Sequence, residues 1–162
     1  MRFLAMKAVV VGVVLLCSVA YAQDAPATTT TSAAAQDASS QATVYIYRYK
    51  QFVGSALAPS VYCDETELAR MENGRFFVVR LPAGKHVFRS NDKQAGVEED
   101  LKAGQTYYIR VELVAGMMKG HGRLLSVAPE QGSYEIKKLK QLDSDKVKDT
   151  QHVITANAAL SN

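Results

Sequence analysis

Between Thr43 and Leu142 the chain is a series of short runs that alternate apolar and polar residues or are wholly apolar, with turn residues between them. In Thr43-Val-Tyr-Ile-Tyr-Arg-Tyr-Lys50, Val44 and Ile46 fall on one face of an extended segment and Tyr45, Tyr47 and Tyr49 on the other, because successive strand side chains point to opposite sides. The β-branched and aromatic content suits a sheet. Further runs lie at Ser60–Asp64, Glu67–Glu72, Arg75–Leu81, His86–Arg89, Gly96–Leu101, Gln105–Leu113 and Arg123–Val127. Short strands at near-regular spacing predict an all-β fold, a β-sandwich of about seven strands.

The turns repeat one another. Asn73-Gly74, Ala83-Gly84 and Ala103-Gly104 each precede a polar residue or two and then an apolar run, and they are expected to be three hairpin corners. Leu81-Pro82-Ala83-Gly84 has proline and glycine where a type I turn prefers them. The Gly84-Lys85-His86 that follows is no phosphate cradle, since such a loop needs more glycine ahead of its lysine and a helix after it, and here a strand follows. His86 has no motif beside it that would supply a substrate proton or an orienting partner, and it is read as a structural strand-edge histidine. One short helix is expected from Pro129 and Glu130, carrying Tyr134, Ile136, Leu139 and Leu142 on an apolar face and Lys137, Lys138 and Lys140 towards its end. Gly132 weakens such a helix, and the alternation at Tyr134 and Ile136 equally suits a last strand.

The ends read differently. Residues 1–22 begin with Arg2 and Lys7, continue through an apolar run from Ala8 to Cys17 and end in Ala20-Tyr21-Ala22, the pattern of a secretory signal peptide cut after Ala22. The run is shorter than the roughly 20 residues that span a bilayer, so no transmembrane span is expected after cleavage. Leu16, where lipoprotein signals carry a small residue, argues against lipidation at Cys17. Residues 23–42 have no aromatic and no large aliphatic residue and are expected to be a disordered linker. Residues 43–142 form the domain, and 143–162 are read as a flexible tail.

Cleavage takes Lys plus Arg from 19 to 17 against 16 acidic residues. A chain so close to neutral offers no electrostatic case for nucleic acid. Cys63 is then the one remaining cysteine, which excludes an intramolecular disulfide and reads as a small buried apolar group. Glu98-Glu99-Asp100 reads as a charged edge strand that discourages sheet pairing. Met117, Met118 and His121 lie in a glycine-rich loop and carry ligand types suited to copper, although a hairpin loop needs those glycines anyway. The lysines from Lys137 to Lys148 are interleaved with acids and read as a solvated face. Tyr45, Tyr47 and Tyr49 are expected to be half-buried beneath a second sheet.

The order of Val44-Tyr-Ile-Tyr-Arg48, Phe52–Leu57, Val61-Tyr-Cys-Asp64, Asn73-Gly74, Leu81-Pro-Ala-Gly-Lys-His86 and Ala103-Gly-Gln-Thr-Tyr-Tyr-Ile-Arg110 resembles the bacterial DUF2846 family of exported proteins. More loosely it resembles the PEGA and transthyretin-like sandwiches. Asp64-Glu65-Thr66 departs from the Asp-Gly that this resemblance favours, so that corner is expected to be built differently. The resemblance implies a transthyretin-like fold and export, and no reaction. The expectation is an exported, periplasmic or secreted, non-catalytic module of the cell envelope, without cofactor, meeting an envelope protein or polymer. The alternative is a metal-binding or hydrolytic envelope protein using His86 or His121, which requires one of them to meet a carboxylate in a cleft.

Overall fold

A computed structural model describes residues 40–91, 96–114 and 121–155. The expected signal peptide, nearly all of the expected linker, and Met117 and Met118 lie outside the described residues, as does the side chain of His121. Among the described residues ten strands occur in chain order: β1 (Gln41–Tyr47), β2 (Ser60–Cys63), β3 (Thr66–Arg70), β4 (Arg75–Pro82), β5 (Gly84–Arg89), β6 (Gly96–Leu101), β7 (Thr106–Val114), β8 (His121–Val127), β9 (Lys140–Gln141) and β10 (Val153–Ile154). A helix, α1 (Pro129–Ile136), follows β8.

The strands form two sheets. The larger runs β10-β4-β1-β7-β8, with β9 also on β4; the smaller runs β3-β2-β5-β6. β1 lies antiparallel to β4 and parallel to β7. Val44, Ile46, Phe77, Val79, Ile109 and Val111 of the larger sheet meet Val61, Cys63, Leu68, Phe88 and Leu101 of the smaller in one buried core, as the alternation of a two-sheet sandwich requires.

The three glycine corners are not hairpins. Residues 71–74 lead from β3 in the smaller sheet to β4 in the larger, Ala83 leads from β4 back to β5, and residues 102–105 lead from β6 to β7 in the larger sheet again. Each corner therefore switches sheets, which a sandwich needs wherever consecutive strands belong to different layers. Gly84 has φ 143°, a backbone conformation that residues with a Cβ rarely adopt, and it lets the chain turn after a single intervening residue. The hairpin between described strands without a gap is β2–β3, whose corner is Asp64-Glu65. Asp64 takes φ 52°, a region that Asp tolerates better than most residues.

Four further expectations change. Val153 and Ile154, placed in a flexible tail by their polar surroundings, pair with β4, and Val153 is buried. β9 and β10 occupy successive stretches of the β4 edge that β1 leaves free, so this edge is paired rather than exposed. Gln41 and Ala42, assigned to the linker, begin β1. The outer face of the larger sheet is covered in part by α1, not by a second sheet. Gly132 lies against Tyr108, where an added Cβ would come within 2.3–2.6 Å of the ring and its Cβ; the glycine that weakens the helix is the one that lets it dock. Tyr134 does not join the apolar face and is exposed beside Lys138. The acidic run does lie on an edge strand, β6, where Glu98 pairs with Lys85 at 3.3 Å.

Arg48, just beyond β1, is buried and uses its guanidinium to donate to the carbonyls of Leu57 and Gly54. It thereby holds the 52–58 loop, at whose start Phe52 is exposed.

Candidate functional site

Two places gather polar chemistry. The first is the end of the smaller sheet. Cys63 closes β2 and pairs with Phe88 of β5, so both face the core. His86 lies two residues before Phe88 on the same side of β5, which turns its ring towards the Asp64 corner. His86 Nδ1 is 3.0 Å from Asp64 Oδ2 and 3.8 Å from Cys63 Sγ, and Sγ is 3.7 Å from the same carboxylate oxygen. The other ring nitrogen, Nε2, faces the Pro82 carbonyl at 3.1 Å; a carbonyl only accepts, so Nε2 carries a proton. Asp64 Oδ1 accepts from the Val87 amide at 2.9 Å. The expectation that His86 lacks an orienting partner is therefore corrected: it has two. That signal was in the sequence only as Asp64 and His86 themselves, 22 residues apart, and sheet register brings them together.

Burial pushes the Cys63 thiol up to about 12, and the neighbouring carboxylates of Asp64 and Asp149 add to the effect. Burial works to raise Asp64 as well, but the Val87 amide and the His86 ring outweigh it and hold the carboxyl below its usual range. An open hollow of about 450 Å³ beside Asp64 is lined by Asp64, Glu65, Val87 and Arg89.

The second place is the outer face of the larger sheet. Tyr47 donates its hydroxyl hydrogen to Glu135 of α1, Gln131 donates at 2.7 Å, and Arg110 lies 3.3 Å from both carboxylate oxygens. Arg110 also meets Glu112 at 2.8 Å, and Arg123 meets Glu112 at 3.3 Å. Burial alone would raise Glu135, yet the hydrogen bonds from Tyr47, Tyr49 and Gln131 and the Arg110 charge hold it below the carboxylate range. Beside this network Tyr45 stacks on Tyr108 with centroids 5.2 Å apart. An open hollow of about 760 Å³ lies against the same face, its apolar floor including Tyr45, Phe76, Val78 and Ile136 and its lining including Arg80 and Lys137. Among the described residues no carboxylate lines it. Sequence reasoning missed this hollow because its floor and its roof come from strands and a helix far apart in the chain.

Among the described residues no helix is long and apolar enough to cross a membrane. A protein of Haemophilus influenzae described only as uncharacterized is 30% identical over 98 residues, 59% of this chain, and the chain spans 58% of that relative's length. No solved structure matches. The model of the family described as a protein of unknown function, DUF2846, matches residues 38–122, just over half of the chain and most of both sheets, and the chain belongs to that family.

Proposed function

We propose that the protein is an exported, non-catalytic module of the cell envelope that binds an amphiphilic anion in the hollow on the outer face of its larger sheet. The lining of that hollow carries the reading: aromatic and aliphatic side chains on the floor, Arg80 and Lys137 as cations, and no acid among the described residues. Its volume is in the range of small-molecule sites, which combine an apolar lining with a few polar groups that fix orientation. Such a surface favours an apolar body with a negative group, as in lipid-derived or polymer-borne anions of an envelope. Export rests on the basic start, short apolar run and Ala20-Tyr21-Ala22 of the sequence.

The hydrolytic alternative has a carboxylate beside His86, and its geometry argues against proton relay. A triad needs nucleophile and carboxylate on opposite ring nitrogens, whereas Cys63 and Asp64 both address Nδ1 and the Pro82 carbonyl occupies Nε2. A thiol pushed up to about 12 is also a poor source of thiolate.

Titration with dodecanoate, followed by the amide signals of β1, β4 and α1, tests the binding reading. Saturable shifts confined to that face are expected, with weaker binding by at least about tenfold in Arg80→Glu/Lys137→Glu, a change of ~1.4 kcal/mol. Equal shifts with dodecyltrimethylammonium, or none with either, would dismiss it. Export is tested by expressing the chain in a bacterium and sequencing its N-terminus: Gln23 is expected, and retention of Met1 in the cytosol would contradict it.

A further inference from the structure

The end of the smaller sheet holds three different metal-ligand types on one small triangle. Cys63 Sγ, Asp64 Oδ2 and His86 Nδ1 are separated by 3.7, 3.0 and 3.8 Å. A tetrahedral zinc ion, about 2.3 Å from sulfur and about 2.0–2.1 Å from nitrogen and oxygen, holds such donors about 3.3–3.6 Å apart. Shifts of a few tenths of an ångström would bring this triangle to that size. Ligand softness also fits, since thiolate with imidazole and carboxylate is a zinc set rather than a magnesium or calcium set.

The groups behind the three ligand atoms already hold them in place. A metal-bound histidine usually donates its other ring N–H to a carbonyl or carboxylate; here Nε2–H donates to the Pro82 carbonyl, so Nδ1, which now meets the Asp64 carboxylate, is the nitrogen a cation would take. The Val87 amide occupies Asp64 Oδ1 and leaves Oδ2 facing the histidine and the thiol.

We propose that Cys63, Asp64 and His86 bind a zinc-class divalent cation, with the fourth position left to water or to a group of a partner. Binding replaces the Cys63 thiol proton by a metal–sulfur bond and the proton between His86 Nδ1 and Asp64 by a metal–nitrogen bond, and both protons pass to solvent. The affinity therefore rises with pH. The site lies in the other sheet from the hollow, so failure of either reading leaves the other standing.

The test uses the full chain carrying Cys17→Ser, so that Cys63 is the one thiol, stripped with a chelator. Competition of zinc against a chromophoric chelator should give one equivalent bound, and cobalt in its place should give a thiolate-to-cobalt charge-transfer band. Cys63→Ser should abolish the band, and His86→Gln and Asp64→Asn should each weaken zinc binding by more than about tenfold, whereas His121→Ala should leave it unchanged. If Cys63→Ser fails to melt cooperatively, the cobalt spectrum of the parent and the His86→Gln titration decide. Absence of the band, or one equivalent of zinc bound equally well by His86→Gln and Asp64→Asn, would overturn the proposal and leave the cluster as a clamp on the hairpin.

Discussion

Glu135 and Asp64 are two carboxylates around which polar groups of this sandwich gather, and they are treated in opposite ways. Glu135 reaches the larger sheet from a helix 88 residues away in sequence from its partner Tyr47 and is saturated there by a hydroxyl, an amide and a guanidinium. Asp64 sits on a two-residue corner with one oxygen held by a backbone amide and the other between an imidazole and a thiol. A saturated buried carboxylate fastens an element; one left with acceptor capacity beside other ligand atoms is placed to take a cation. The first belongs to the fold, the second to what the fold presents.

The comparison is broken most severely by lifting α1. Gly132→Val would drive side-chain atoms into Tyr108, and since the clash involves the ring base and not a flexible tip, a loss of about 3 kcal/mol is expected in denaturant unfolding. Removing the carboxylate alone should cost less. Glu135→Ala leaves Arg110 its bridge to Glu112 but strands Tyr47, for an expected loss of about 2 kcal/mol. Because the folded state holds Glu135 below its ordinary value, its contribution is complete above about pH 4.3, the unfolded carboxyl value, and is lost as the pH falls through the folded one. Glu135→Gln should accordingly flatten the decline of Tm in acid, and an unchanged acid limb would count against the network.

Gly84→Val tests the sheet-switching corners. Open space surrounds the position, so the cost comes from φ 143° alone and should be about 1 kcal/mol; a silent melt would show that the backbone relaxes. The smallest effect belongs to His86→Gln. Under chelator it should shift stability by less than about 1 kcal/mol, the scale of one hydrogen bond. Added zinc should then raise the Tm of the parent and not of the variant, because a ligand stabilises only the state that binds it.

Much of this was legible in local pattern and little of it in long-range pairing. The alternation of Val44 and Ile46 against Tyr45 and Tyr47 marked the inner and outer faces of β1, and the charge of Glu98 to Asp100 marked an edge strand. Pro129 marked the helix start. Glycine corners announced reversals of the chain without showing whether the next strand pairs with the last one or joins the opposite layer, since that is decided by which neighbours complete each sheet. Val153 and Ile154 were too short a run to declare themselves; the free edge of β4 orders them. Gly132 read as a weakness because its partner Tyr108 lies on another element. The Asp64–His86 meeting depends on β2–β5 register, which two residues cannot reveal by themselves.

The most direct measurement follows the side-chain carboxyl and imidazole signals of the full chain by NMR as zinc is added. Asp64 and His86 should shift to saturation at one equivalent while Glu135 and Tyr47 stay where they are. Unmoved Asp64 and His86 signals, or a Glu135 that responds as strongly as Asp64, would contradict the distinction between the carboxylate that closes the fold and the one that remains available.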